Sequence, residues 1–384
     1  MTLHHFSFPT AITFGAGARH EASRELLAQG CRRVLVVCDR GVAALPMFRE
    51  FLLEAERAGL VLGSYAGVGG NPTTVHVQEG VAALRAHQAD GVIGFGGGAA
   101  LDVAKAVVLM ARHPGELFEY EDGRVNARAV VGELPYWVAL PTTAGTGSEV
   151  GRSAVISDPE THVKRIIFSP RLMARAVFAD PELTLALPPA LTAATGMDAL
   201  THCVEAFLAR QWHPICDGIA LEGLRLAAHS LERCYRQGAD LPARSDMALA
   251  SMMGAIAFQK GLGVTHSCAH ALSMVTNMHH GLANAVMIDH ALVHNLPSSQ
   301  ERFQRLVVAA GIHGGADAFI SWLVELKRRL DLPATLVLAG VSPDAALRER
   351  LVDAALADSC HLSNPVSCSR EDFQLIFRRG FGEV

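Results

Sequence analysis

Hydrophobic and polar positions follow two different rules along this chain. Up to about residue 183, short β-branched and apolar runs alternate with stretches of helical periodicity, the pattern of a parallel sheet with helices on its faces. RRVLVVCD at 32–39 predicts a buried strand, TTVHVQEGVAALRAHQ at 73–88 a helix, GVIGFGGG at 91–98 a strand entering a turn, and AALDVAKAVVLMARH at 99–113 the next helix. YWVALPTTAGTGSEV at 136–150 adds a strand followed by a Gly/Thr turn, and the opening MTLHHFSFPTAITFGAGARH predicts a strand that ends in a Gly-rich turn. Beyond FADPELTLALPPA at 178–190 the β-branched clusters thin out. Long helical periodicities take over, broken by RQWHP (210–214), RQGADLP (236–242) and AGVSPD (339–344). The expected organisation is an α/β domain over 1–183 followed by an all-α domain over 184–384.

Composition narrows the class of partner. The 384 residues are 50% hydrophobic and only 18% charged, which suits a compact globular protein of about two domains with apolar surface left for a homodimer or a higher homo-oligomer. A formal net charge of −5 supplies no basic field for nucleic acid or anionic lipid, so small molecules are the expected partners. No window of 18 or more apolar residues predicts a membrane span, and no basic region followed by an apolar run predicts a secretory signal. Eight cysteines without a C-x-x-C pair or a disulfide-framework spacing point to reduced thiols and a cytoplasmic location.

Two turns carry candidate nucleotide chemistry. GFGGGAALDVAK (94–105) leaves a predicted strand and opens a predicted helix, where glycines admit close backbone approach and the first helical N–H groups attract phosphate oxygens. A tight turn needing only positive φ explains the same glycines. PTTAGTGSE (141–149) follows another strand and brings the hydroxyls of Thr142, Thr143, Thr146 and Ser148. Two such turns past strand ends suggest a diphosphate crevice in an open α/β sheet, although the Gly-rich turn does not follow the first strand as in the Rossmann fingerprint. Asp39 closes its strand where a carboxylate accepts from a ribose hydroxyl and repels a 2'-phosphate, favouring NAD over NADP; an ordinary turn residue before Gly41 is the alternative.

The helical half carries candidate metal chemistry. In TAATGMDALTHCVEAFLA (192–209), Met197, Leu200, Val204, Phe207 and Leu208 make one apolar stripe, and Asp198, His202 and Glu205 share the other side among small residues that look equally covered. A buried carboxylate and imidazole one turn apart need a partner, either each other or a divalent cation. HSCAHALSMVTNMHHG (266–281) holds four histidines and no Lys, Arg, Asp or Glu. His266 and His270 fall on one helical face, and His280 precedes Gly281 on what looks like a turn before the helix 282–296. One metal site accounts economically for Asp, His, His and His on two apolar segments, and such a set leaves room for a substrate oxygen. His279, His290 and His294 are expected at ordinary surface or core positions.

Together GFGGGAALDVAK, PTTAGTGSEV, FADPELT, GMDALTHCVEAF and HSCAHALSMVTNMHHGLANAV resemble, in order along nearly the whole chain, the iron-containing group III alcohol dehydrogenase family. The resemblance implies a Rossmann-like α/β dinucleotide-binding domain, an all-α metal-binding domain, a cleft between them, and homodimers or assemblies of dimers. It implies Asp198, His202, His266 and His280 as ligands of Fe2+, Zn2+ or another divalent ion. It places His270 off the metal near nicotinamide and substrate, where spacing and resemblance together make it the candidate proton relay. Asp39, Asn71, Gly97, Gly98, Ala99, Asp102, Thr142, Thr143, Lys164 and Leu183 fall at cofactor positions, and Phe258 at an aromatic of the substrate pocket.

The chain departs from that pattern in places. Ala99 stands where most relatives have serine, removing one phosphate hydroxyl contact, and Gly151 where many have threonine. Gln259 and Lys260 stand where many have small or amide residues; Lys260 either lines the cleft and favours an anionic substrate or is a solvated lysine at a helix end. The expected function is hydride transfer between NAD(H) and a small alcohol or carbonyl compound, with the metal as Lewis acid. Glycerol-dehydrogenase-like or maleylacetate-reductase-like members of the superfamily, and a non-catalytic nucleotide- and metal-binding sensor, are the rival readings.

Overall fold

The computed structural model describes residues 6–8, 10–161 and 163–384. The chain forms two compact units, one from the described part of Met1–Thr143 with Gly147–Thr184, the other from Ala144–Thr146 with Leu185–Val384. Among the described residues no single helix is long and apolar enough to cross a membrane.

Among the described residues the first unit has eight strands: β1 (Ala11–Phe14), β2 (Arg33–Asp39), β3 (Val61–Val68), β4 (Gly91–Gly96), β5 (Tyr136–Pro141), β6 (Ser153–Ser157), β7 (Lys164–Phe168) and β8 (Ala176–Ala179). Six of them form one parallel sheet in the order β1-β8-β5-β4-β2-β3. The near-continuous apolar runs of β2, β4 and β5 are buried on both faces, as central parallel strands must be. Helices α1 (Glu21–Ala28), α2 (Arg40–Ala43), α3 (Pro46–Arg57), α4 (Thr74–His87) and α5 (Gly98–Arg112) connect these strands. Val34, Val36, Phe48, Phe51, Ile93, Phe95, Val138 and Leu140 pack into one core. The strand expected at the start of the chain is β1; residues 1–5 and 9 of that stretch lie outside the described residues. The structure adds an antiparallel pair, β6–β7, that the periodicity does not predict.

The second unit contains nine helices among the described residues: α6 (Pro189–Leu208), α7 (Pro214–Arg236), α8 (Leu241–Ala257), α9 (Val264–Thr276), α10 (His280–Asn295), α11 (Gln300–Ala309), α12 (Ala318–Arg329), α13 (Ala345–Ala357) and α14 (Arg370–Phe381). Pro189 starts α6, where its fixed φ fits and its missing N–H costs nothing. From Thr192 to Leu208 this helix is buried on nearly every side, so it is a central core element rather than an amphipathic surface helix. Its polar side chains must therefore find partners inside the protein.

One boundary differs from expectation. His280 is the first residue of α10 rather than part of a turn before it. The imidazole of His279 accepts the Leu282 N–H as N-cap, starting the helix two residues early and placing Asn284 one helical turn beyond His280. Gly281 permits this start to sit against α6, since a Cβ there would lie 2.4 Å from the Ala194 carbonyl oxygen.

Candidate metal centre and nucleotide turns

Helix α6 presents Asp198, His202 and Glu205 at 3%, 3% and 2% exposure, too dry for any of them to rely on solvent. Asp198 Oδ1 lies 3.8 Å from His202 Nε2, 3.8 Å from His266 Nε2 and 3.4 Å from His280 Nε2. One ligand atom from each of the four residues falls within 4.8 Å of all the others. The His202 and His266 rings stack with centroids 4.7 Å apart. Thus α6, α9 and α10 bring together the four residues singled out in the sequence.

The His266 ring is oriented by a carboxylate behind it. His266 Nδ1 donates to Glu205 Oε2 at 2.7 Å, which turns Nε2 toward Asp198 as an acceptor. Burial opposes charge on this ring, but the hydrogen bond and charge of Glu205 outweigh it and raise its pKa. Burial would likewise raise the Glu205 pKa; His266 and Thr265 hold it below its ordinary value instead. Glu205 also accepts from the N–H groups of Gly263 (3.0 Å), Thr265 (2.6 Å) and His266 (3.2 Å), fixing the first turn of α9. Burial lowers the His202 pKa to about 4, so this imidazole is neutral. Asn284 Nδ2 donates to Asp198 Oδ1 at 2.7 Å and approaches His266 Nε2 and His280 Nε2 at 3.3 and 3.2 Å. One carboxylate oxygen and three imidazole nitrogens within 4.8 Å of one another fit a divalent transition ion or zinc.

His270 lies outside this set. Its Nδ1 donates to Asp358 Oδ2 at 2.7 Å, and its ring stacks on His280 with centroids 5.2 Å apart. Asp358 Oδ1 accepts from Ser267 Oγ (2.7 Å) and Cys360 N–H (2.8 Å). Burial would raise the Asp358 pKa, but His270 and these donors hold it well below the usual carboxylate range. Phe258 lies beside the four-residue cluster, its ring 5.1 Å from that of His202.

Lys260 fits neither role expected of it. It is 1% exposed and donates to the Phe207 carbonyl at 2.7 Å and to Asp217 Oδ1 at 2.5 Å. The cost of burying its ammonium is offset by that ion pair, so it serves neither as a solvated helix end nor as a substrate contact.

In the first unit, Asp39, Gly97, Gly98, Ala99, Thr142 and Thr143 gather at the C-terminal ends of the neighbouring strands β2, β4 and β5. Gly97 caps α5 and lies under Thr143, whose Cγ2 would be 3.2 Å from a Cβ there. Gly96 has φ +157°, and an added Cβ would stand 2.7 Å from the Ala100 methyl and 3.0 Å from Asp39 Oδ2. Asp39 Oδ1 accepts the Val42 N–H at 2.8 Å, so this carboxylate caps α2 with one oxygen while the other faces Gly96. Asn71 follows β3. Lys164 pairs with Ser157, which bonds to the Pro72 carbonyl beside Asn71. Leu183 packs its side chain into the sheet core.

Asp102 spends both oxygens inside the protein, accepting from Ser148 Oγ at 2.6 Å and from Val155 N–H at 2.9 Å. Lys105 Nζ donates to Ser148 Oγ and to the Ser153 carbonyl, each at 2.7 Å. Asp102 and Lys105 thus tie the second turn to α5, and Ser148 is consumed in that tie. Glu149, in the same turn, is raised by burial to about 7. A carboxyl whose pKa is higher folded than unfolded stabilises the fold at low pH and loses that contribution as pH rises from the unfolded value through about 7. The loss is on the order of 3 kcal/mol by pH 8. Glu149→Gln is expected to flatten this dependence. Urea unfolding at pH 5 and pH 8 checks it, and an unchanged pH slope contradicts it.

The helical pattern puts Glu205 on the same face as Asp198 and His202 but does not show its role, and Asn284 and Asp358 emerge only in the structure. Asn284 carried a local signal, four residues after His280 on one helix. Asp358 carried none, since its partner His270 is 88 residues away.

Comparison with known proteins agrees with this geometry. Residues 9–181 match the family described as iron-containing alcohol dehydrogenase, and residues 192–381 match its C-terminal domain family. A 4-hydroxybutyrate dehydrogenase of Cupriavidus necator is 37% identical over 372 residues, covering 94% of this chain and 95% of that protein. A 1,3-propanediol dehydrogenase of Klebsiella pneumoniae is 34% identical over 383 residues, covering 97% of each. A crystal structure of a 1,3-propanediol oxidoreductase superposes with a TM-score of 0.93 at 33% identity, covering 98% of this chain and 100% of that one.

Proposed function

Because the chain belongs to the iron-containing alcohol dehydrogenase family, we propose that it interconverts small primary alcohols and their aldehydes, using NAD(H) and one divalent ion. The observation that carries this reading is the convergence of Asp198, His202, His266 and His280 on one point. Those four side chains would hold Fe2+, or Zn2+ or a similar ion, as the donor set allows. Bound there, the ion supplies a Lewis acid for the substrate oxygen, and bound NAD supplies the hydride acceptor.

The residues of this chain perform the rest. Glu205 keeps the His266 proton on Nδ1, away from the centre. Phe258, against His202, gives the substrate side an apolar wall. His270 stands beside the four-residue cluster, its Nδ1 held by Asp358, so that Nε2 is the atom that accepts a proton from the alcohol and passes it to solvent. The ring is 32% exposed, enough for such a relay. Asp39, with one oxygen toward Gly96, favours a ribose hydroxyl over a 2'-phosphate, and Gly97–Ala99 with Thr142–Thr143 frame the diphosphate. The relatives named for 4-hydroxybutyrate and 1,3-propanediol support short substrates with a terminal hydroxyl.

Protein loaded anaerobically with iron should form NADH steadily with short primary alcohols and diols; nucleotide and metal binding without turnover would favour a sensor instead. His270→Ala is expected to keep its metal and lose about 10²- to 10⁴-fold in turnover, the usual worth of a positioned acid or base. Full turnover with the parental pH dependence removes His270 from the proton path. Asp39→Ser is expected to raise the efficiency with NADP relative to NAD, read from kcat/KM for both cofactors, and an unchanged ratio contradicts the ribose assignment.

A further inference from the structure

A second group of donors stands beside the first and has no part in holding its ion. His270 lies on α9, Asp358 one residue beyond α13, and Cys360 opens the short 3-10 turn Cys360–Ser363. These three segments bring an imidazole nitrogen, a carboxylate oxygen and a thiol sulfur within 4.8 Å of one another. His270 Nδ1 is 2.7 Å from Asp358 Oδ2 and 3.9 Å from Cys360 Sγ.

Three features make this group more than a hydrogen-bonded pair with a cysteine nearby. The carboxylate is held in place: Ser267 Oγ and Cys360 N–H both occupy Oδ1, which leaves Oδ2 aimed at His270. The group is also partly open, with the His270 and Asp358 side chains 32% and 17% exposed. Finally, its donors are N, O and S rather than three N and one O, and the sulfur gives it a softer preference.

We propose that His270, Asp358 and Cys360 form a second site for a thiophilic divalent cation such as Zn2+ or Cd2+, with water completing its coordination. Binding takes the lone pair of His270 Nδ1, Asp358 Oδ2 and the Cys360 sulfur. The thiol releases one proton to solvent, and the ring proton moves from Nδ1 to Nε2. His270 then carries a proton on its remaining nitrogen and a cation on the other, so it no longer accepts a proton from substrate. Inhibition by this route rests on the relay role proposed above for His270; occupancy of the site does not.

Cadmium titration of the holoenzyme that already carries its first ion separates the two statements. The primary donors include no sulfur, and of the eight free cysteines only Cys360 belongs to the second group, so the part of the thiolate-to-cadmium charge-transfer band that is lost in the Cys360 variants reports the second site. That part is expected to saturate at one Cd2+ per chain, with turnover falling in parallel. Cys360→Ala and the near-isosteric Cys360→Ser should retain the first ion, lose that part of the band and resist cadmium. Asp358→Asn should weaken cadmium binding at least about tenfold, no less than the loss of an outer partner of a ligand costs. No band in the parent, or a band undiminished in both Cys360 variants, overturns the site. A saturating band with full turnover upholds the site and removes His270 from the proton path.

Discussion

Asp198→Ala protein is expected to purify without its divalent ion and to lose at least about three orders of magnitude in turnover, since a Lewis acid contributes several kcal/mol and each 1.36 kcal/mol is tenfold. Asp198 supplies the only carboxylate oxygen of the four-donor group and lies within 3.8 Å of each of the three imidazole nitrogens. Its removal leaves an all-nitrogen set without a negative charge to balance a dication. His266→Ala should do the same, because His266 joins the donor group to Glu205. Metal content per chain and turnover, measured on the same preparations, check the expectation, and unchanged stoichiometry in either variant contradicts this ligand set.

The second large effect is expected at Glu205, which is not one of the four donors. Its two oxygens accept from His266 Nδ1 and from three backbone N–H groups at the start of α9. Glu205→Ala strands those donors in a dry interior and should cost about 3–5 kcal/mol of stability, the range for breaking a buried pair. It also frees the His266 ring to turn or change tautomer, so metal affinity should fall by about 10- to 100-fold. Glu205→Gln keeps an acceptor and the side-chain volume; it should fold, with metal affinity between parent and alanine variant. Urea unfolding and competition with a chelator measure the two quantities separately. Parental metal affinity in a folded Glu205→Ala protein would show that the orientation of His266 is set elsewhere.

What the sequence revealed was local. Asp198 and His202 stand four residues apart on one helix, and the dry face between them is visible in the small and apolar residues around it. The alternation of strands and helices likewise exposed a parallel sheet, because central strands buried on both faces leave continuous apolar runs. Contacts that close over long sequence distances left no such trace. Glu205 reaches His266 61 residues ahead, and Lys260 pairs with Asp217 43 residues behind, so neither the clamp nor the buried ion pair could be read from spacing. The edge position of β1, against β8, is hidden for the same reason. His280 precedes Gly281 and reads as a turn residue, whereas α10 begins at His280 behind an imidazole cap, a rarer N-cap than serine or aspartate.

X-ray absorption at the edge of the bound ion, on protein carrying one equivalent of metal, examines the central claim most directly. A first shell of nitrogen and oxygen only, with the multiple-scattering pattern of several imidazoles that vanishes in the Asp198→Ala and His266→Ala variants, is the expected result. A sulfur neighbour at one equivalent, or a spectrum without imidazole scattering, would contradict the assignment of Asp198, His202, His266 and His280 to one ion.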